Sequence, residues 1–428
     1  MKYFNKIMQL SVVSALTAMS GQAAASGFQL MEQNASGLGN AYAGQAAAAE
    51  NASTIFFNPA GMTYLPGRQV SGTVSLIRPS AKFTNSGASA APAGLTSPGG
   101  NGGDVGSLAA LPTGYVSWQL NPQLWLGLGI TVPFGLSTEY NAGWVGRFQS
   151  RKSEIKTTDI NPSIAFKLND VVSLGAGFSY QKVNVDVSRS AFTGVERASK
   201  VDLDDNDSYG FNLGAMFKIS PATRIGLSYR STVEHDLKGT ASIAGIGGAT
   251  VKANVKLPDT ISWAIAHQAT PKLELLSDLT YTRWSEIKRV PVITTSAGLA
   301  SLGIASGSAL DTFDFQFKNT YRIGVGANYK LQNDFTLKLG VAYDESPVSA
   351  QFRTVTLPDN DRLWFSIGGK YQVNKQATVD FGYAYLYVQD ASINSRKGLG
   401  ASPFQGNVVG NYNNSDVHIF SAQLSYNF

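Results

Sequence analysis

The side chains able to carry out covalent chemistry are few and poorly spaced for it. The chain has 3 histidines, His235, His267 and His418, and no cysteine. That excludes a thiol nucleophile, a disulfide scaffold and any Cys-based zinc or iron–sulfur site. A serine or aspartate nucleophile would need a positioned histidine beside it. His235 falls near a predicted loop, His267 ends a strand-like run before a tight turn, and His418 lies in an alternating segment. None stands in a recognisable catalytic motif. The acidic run Asp202-Leu203-Asp204-Asp205-Asn206-Asp207 is calcium-like in composition. It lacks the loop glycine and terminal glutamate of an EF-hand and reads as solvated loop. Gly37-Leu38-Gly39 follows no strand, so it is not a nucleotide fingerprint. The residues predict no enzyme, no cofactor and no metal site.

The elements that carry these residues point elsewhere. Only 15% of the 428 residues are charged, against roughly 25% in ordinary soluble domains. Glycine is abundant at 44 residues, and there are 18 Tyr, 22 Phe and 6 Trp. The net charge of +5 includes Lys2 and Lys6 of a leader, so it falls to +3 without them. No basic run tracks a phosphate backbone, and nucleic acid is not an expected partner. Lys2 and Lys6, the apolar stretch Ile7 to Met19 and the small residues Ala23-Ala24-Ala25 form a secretory signal peptide over 1–25. The expected mature N-terminus is Ser26.

From there most of the chain alternates with period 2. His418, Phe420, Ala422, Leu424, Tyr426 and Phe428 share one face, while Ser421, Gln423 and Ser425 take the other. Phe335 to Asp344, Tyr321 to Lys330 and Phe211 to Ser220 repeat the pattern. Such alternation sets one face in an apolar medium and the other in a polar one. A soluble sandwich alternates too, and the connections separate the two. Tight junctions fall at Asn121-Pro122, Asn169-Asp170, Ser220-Pro221, Thr270-Pro271, Asn333-Asp334 and Asn374-Lys375. Between them lie long polar or glycine-rich stretches at 79–111, 136–158, 188–207, 236–256, 288–311, 346–360 and 390–414. Six short turns alternating with seven long loops predict an all-β, 14-stranded antiparallel transmembrane β-barrel over 68–428. Closure would satisfy every backbone group in lipid.

Residues 26–67 do not alternate. Their charged residues are Glu32 and Glu50, too few for a free periplasmic appendage. A plug, or hatch, folded into the lumen is expected instead, and that argues against a general porin. Pro133 and Gly135 interrupt the strong strand Leu124 to Val132. Proline removes a ladder donor, so this is either a strand end or a kink. Asn58-Pro59-Ala60 reads locally as a turn.

Ser26-Gly27-Phe28-Gln29-Leu30, Ser36 to Gly44 (Ser-Gly-Leu-Gly-Asn-Ala-Tyr-Ala-Gly) and Asn58-Pro59-Ala60 together resemble the N-terminal hatch of the FadL family. These are outer-membrane transporters of long-chain fatty acids and other hydrophobic compounds in Gram-negative bacteria. The resemblance continues at Pro133 to Tyr140, Trp144 to Arg147, Leu257-Pro258-Asp259, Thr282 to Ser285, Tyr343 to Val348 and Pro358 to Arg362. It covers essentially the whole mature chain.

The resemblance implies an apolar pocket near the mature N-terminus, rearrangement of the hatch, and lateral exit through a gap at the third-strand kink. It assigns Pro133, Phe134 and Gly135 to that kink and Asn58, Pro59 and Ala60 to a hatch lock. Phe28 and Leu30 either pack the hatch or line the pocket. Arg189 matches by position a pocket arginine for the ligand carboxylate; the alternative is a rim arginine facing lipopolysaccharide. A second basic pocket residue is not evident at Asp311-Thr312-Phe313-Asp314-Phe315-Gln316-Phe317, which is acidic and aromatic. Aromatic or alkane hydrocarbons therefore stand beside fatty acids as the expected ligand. Arg147, Arg151 and Lys152 are expected in a solvated or lipopolysaccharide-facing loop. Asp344, Glu345, Asp359, Asp361 and Arg362 are expected to form a charge network. Phe428, with Tyr426, resembles the C-terminal signal read by the barrel-assembly machinery. An internal pathway needs no partner subunit, so a monomer is expected.

Overall fold

A computed structural model describes residues 27–92, 94–396 and 404–428. The signal peptide expected at 1–25 and the expected N-terminus Ser26 lie outside the described residues.

Strands β1 (Arg68–Asn85), β2 (Ala109–Asn121) and β3 (Leu124–Thr131) pair in sequence, and β4 (Gly135–Glu139) resumes the third strand after a break. β5 (Lys152–Lys167), β6 (Val172–Phe192), β7 (Glu196–Ser220) and β8 (Thr223–Arg230) follow. The hairpin of β9 (Val233–Ile243) and β10 (Gly247–Leu257) precedes β11 (Thr260–Thr270) and β12 (Leu273–Thr282). A second hairpin, β13 (Arg289–Thr294) with β14 (Ala309–Asp314), precedes β15 (Thr320–Lys330) and β16 (Phe335–Asp344). β17 (Arg362–Gln372), β18 (Ala377–Val388), the short β19 (Ala391–Ser395) and β20 (Val408–Asn427) complete the chain.

The ladder runs β1-β2-β3-β5-β6-β7-β8-β11-β12-β15-β16-β17-β18-β20 and returns to β1, a closed ring of 14 antiparallel strands. β1 and β20 close it from Gln69↔Asn427 to Asn85↔Gly410. Outward positions such as Phe211, Leu213, Phe365, Ile367, Phe420 and Leu424 are exposed and apolar, while inward Ser421, Gln423 and Ser425 are buried. This is the face distribution of a barrel in lipid. Among the described residues no helix is long and apolar enough to cross a membrane.

Three stretches read as loops prove strand-rich. β6 and β7 pair out to Phe192↔Glu196 within 188–207, β9 and β10 occupy 236–256, and β13 and the start of β14 fall at the two ends of 288–311. Glycine, serine and charge fill their outer faces, which gives the composition of a loop. Their inner faces hold Val201, Leu203, Leu237, Val251, Ala253 and Val292, one continuous apolar cluster. Two further expectations change with this. Asp202–Asp207 lies within β7, not in a loop, and Asp205 bonds buried His235 at 2.7 Å. Arg147 is buried rather than solvated, pairing with Glu196 at 2.8 Å.

Residues 27–66 lie inside the ring. Single helical turns at Ala35–Leu38, Gln45–Ala48 and Thr54–Phe57 and a 3-10 helix at Pro59–Tyr64 are nearly all buried. The Ala43–Ala52 stretch forms only one such turn, because Ala49 adopts a left-handed φ of 49° and ends it. The segment meets the wall where the wall has no side chains. A Cβ on Gly226 would overlap the Ala46 carbonyl, and one on Gly175 would overlap the Ala60 amide. Such close backbone approach requires glycine at both wall positions.

Candidate functional site

Side chains from both extra hairpins and from the extended ends of β5, β6 and β7 converge on an apolar cavity. It encloses about 1210 Å³ of empty space, its mouth included. Val183, Val185, Val187 and Arg189 line it from β6, Val201 and Leu203 from β7, and Val290, Val292, Asp311 and Phe313 from β13 and β14. The β6 path from Val183 to Arg189 is roughly 20 Å long at the usual rise of a strand. Phe28 and Leu136 line it as well. Ligand sites of this kind are mostly apolar with a few convergent polar groups.

The polar groups here are specific. Charged side chains lining the cavity are Glu154, Arg189 and Asp311. Lys152 and Lys156 hold Glu154 at 2.5 and 2.7 Å. Arg189 Nη1 donates to Asp311 Oδ2. Arg189 thus lines the cavity, but its charge is met by a carboxylate of the protein itself.

Phe28 sits in a cluster of rings beside the cavity. Its centroid lies 5.0 Å from Trp284 and 5.9 Å from Phe134, and Trp284 lies 5.7 Å from Phe317. The Gly27 amide donates to Asp359 Oδ2 at 2.9 Å, and Asp359 also accepts from Ser346 and pairs with Arg362. Leu30 does not reach the cavity. It packs with Leu38, Tyr42 and Trp364 in a separate cluster.

Pro133 and Phe134 divide the third strand. β2 and β3 pair only as far as Gly114↔Ile130, while β4 pairs with β5 alone from Gly135↔Lys156 to Glu139↔Lys152. On the β5 side, Thr157 Oγ1 accepts from the Phe134 amide at 2.9 Å and donates to its carbonyl at 2.7 Å. On the other side the wall has a gap in its ladder, and the N-terminal segment fills it. The Leu30 amide donates to Pro133 O and the Gly135 amide to Phe28 O, both at 2.8 Å. Gln29 stands opposite Phe134 as an antiparallel bridge.

Gln33 completes this seam, although nothing in the sequence marked it. Its Nε2 donates to Val132 O at 2.8 Å, and its Oε1 accepts from the Val132 amide at 3.3 Å. Its backbone carbonyl accepts from Thr113 and Tyr115 of β2 at 2.9 and 3.0 Å. One residue therefore spans β2 and β3 where their own pairing stops. A second cavity shares Leu136 and Leu357 with the first and lies against Ser137 and Thr138 of β4 and Pro79 to Ala81 of β1.

Asn58 anchors the far part of the segment. Its Nδ2 donates to Ala46 O at 2.7 Å, to Ala215 O of β7 at 3.1 Å and to Leu227 O of β8 at 3.3 Å. Its Oδ1 accepts from the Ala60 amide at 3.1 Å, above Pro59 at the start of the 3-10 helix. Ala60 packs on Met216 of the wall. Glu50 pairs with buried Lys338 at 2.8 Å and with Lys370 at 3.4 Å. Burial alone would raise the Glu50 carboxyl, but the two ammonium groups outweigh it and hold it down at about 2. Glu32 is also wholly buried, and that burial raises its pKa to about 7.

Among the described residues there is no cluster of three or more His, Cys, Asp or Glu side chains able to hold a metal ion. His235 spends both ring nitrogens on Asp205 and Gln181.

Comparison with known proteins agrees with this architecture. The long-chain fatty acid transport protein of Escherichia coli K12 is 29% identical over 429 residues, covering 89% of this chain and 92% of that one. Outer membrane protein P1 of Haemophilus influenzae is 28% identical over the full length of both chains. A crystal structure of a Pseudomonas aeruginosa FadL homologue superposes with a TM-score of 0.84 at 25% identity, covering 94% of this chain and all of that one. The Pseudomonas putida toluene transporter TodX shares the fold, with a TM-score of 0.66 at 15% identity. The family model for outer membrane transport proteins (OMPP1/FadL/TodX) matches residues 16–428. A closed lipid-facing barrel, an apolar cavity and this match lead to one conclusion: the chain belongs to the OMPP1/FadL/TodX family, outer-membrane transporters of hydrophobic compounds in Gram-negative bacteria.

Proposed function

We propose that the protein takes up long-chain fatty acids by binding them in the cavity between Phe28 and Arg189. Residues 27–67 then act as a hatch whose movement releases ligand sideways through the wall at Pro133, Phe134 and Gly135. The observation that carries this reading is the seam of Phe28, Gln29 and Leu30 on the kinked strand. Phe28 belongs to both: its side chain lines the cavity and its carbonyl accepts from the Gly135 amide in the gap of the ladder, so displacing it acts on both at once. Lateral release suits the cargo, since each CH₂ kept out of water is worth about 0.8 kcal/mol. A general porin fits poorly, because the lumen is occupied by the packed segment 27–66.

The choice of fatty acid rests on the length of the cavity and on relatives named as long-chain fatty acid transport proteins. Aromatic or alkane hydrocarbons are the second reading, favoured by one observation: Arg189, which lines the cavity, is paired with Asp311. Direct binding of oleate and of toluene to the purified barrel, in a non-alkyl amphiphile that does not compete, tests the assignment. Tight oleate binding with weak toluene binding is expected. The reverse would transfer the function to hydrocarbon uptake.

A further inference from the structure

We propose that Asp311 is the residue that sets this transporter's selectivity between carboxylate and neutral apolar ligands, by occupying Arg189 itself. The inference rests on the proposed cavity and concerns how that cavity reads a head group.

Arg189 comes from β6 and Asp311 from β14, two elements that meet across the cavity. Their side chains are 19% and 17% exposed, so the pair is largely shielded from water. Such a pair keeps most of its attraction, and separating it leaves a desolvated charge behind. The other charge on the lining, Glu154, is already held by Lys152 and Lys156. Among the described residues, the lining therefore presents two carboxylates and one guanidinium. A fatty acid carboxylate that approaches Arg189 must either displace Asp311 or sit beside it as a second anion. Both cost free energy, because like charges brought together in a shielded site repel. A methyl ester, an alkane or an arene meets no such cost and leaves the pair intact. Selectivity by an internal competitor is a repulsive device against the anion, as effective as an added attraction for the neutral ligand.

The test compares oleate with methyl oleate, which has the same chain and no charge, on the full-length barrel at pH 8. Asp311→Asn should tighten oleate binding about tenfold and leave methyl oleate within about twofold. The double variant Asp311→Asn with Arg189→Gln should lose that gain. Unchanged or weaker oleate binding in folded, heat-modifiable Asp311→Asn would overturn the inference. Should that variant fail to fold, the wild type decides. Methyl oleate binding at least as tightly as oleate supports the inference, and a strong preference for oleate contradicts it. Binding of neither ligand to the wild type would instead bring down the fatty acid reading, and this inference with it.

Discussion

The side-chain amide of Gln33 pairs with the backbone of Val132 in both directions, Nε2 to the carbonyl at 2.8 Å and Oε1 from the amide at 3.3 Å. A primary amide has the same donor and acceptor as a peptide group, so it replaces one rung of the missing β2 ladder. It does so at the last position before Pro133, which has no amide proton to offer.

This pairing makes Gln33 a seam residue of the wall. Gln33→Ala leaves the Val132 amide and carbonyl without that partner, at a cost of about 1–3 kcal/mol for buried groups. The expected outcome is a folded barrel with looser closure at the kink. Hydrogen exchange should show the Val132 and Leu30 amides exchanging faster, with the β1–β20 closure unaffected. Equal protection of Val132 in variant and wild type would remove Gln33 from the seam.

Asn58 binds three carbonyls from three different elements with one amide group. Asn58→Ala should detach the 3-10 helix Pro59–Tyr64 from β7 and β8 without opening the barrel. Fatty acid uptake is expected to fall severalfold while heat-modifiable migration persists. Uptake at the wild-type rate would mean that the hatch does not depend on this anchor.

Glu32 supplies a pH test. Its pKa is raised from the ordinary 4.5 to about 7 by burial, so the folded state holds a proton there that the unfolded state releases. Its carboxyl is therefore tolerated below about pH 4.5 and increasingly destabilising as pH rises through 7. Glu32→Gln should raise the unfolding temperature at pH 8 and change it little at pH 4.5. The free-energy gain at pH 8 is on the order of 3 kcal/mol at most. A variant less stable than wild type at pH 8 would contradict the account.

Glu50 has the opposite sign. Held at about 2 by Lys338 and Lys370, it stabilises above its unfolded value of 4.5, and that contribution is lost as pH falls toward 2. Lys338→Met should flatten the acid limb of the stability curve and lower stability at neutral pH.

The barrel was legible because period-2 alternation and alternating turn lengths act on every strand, and Asn121-Pro122 or Asn374-Lys375 mark turns in any context. The interruption at Pro133 and Gly135 was equally open to view. The cap hairpins were not, because Val201, Leu203, Val251 and Val292 alternate with residues of loop composition. Arg189 could be picked out by resemblance, but its partner could not. Asp311 lies 122 residues away, in a stretch notable only for lacking a cation. Gln33 carried no signal, since a glutamine becomes a rung only when tertiary structure sets it beside a broken ladder. Leu30 points into the Leu38 and Tyr42 cluster rather than the cavity, a choice between two apolar sites that an apolar side chain alone cannot announce.

On the proposed exit route, residues 28–30 must leave the kinked strand before ligand can pass. Gln29 and Phe134 face each other as a non-hydrogen-bonded antiparallel pair, since the bonds flanking them run Leu30 to Pro133 and Gly135 to Phe28. Such pairs place their Cα atoms at about 4.5 Å, within disulfide range, and the chain has no native cysteine to interfere. The most direct measurement is oleate uptake by Gln29→Cys/Phe134→Cys before and after reduction, with binding measured in parallel. With release through this seam, the oxidised pair is expected to bind oleate without passing it, and reduction to restore uptake. Wild-type uptake through the oxidised, fully crosslinked protein would contradict that route.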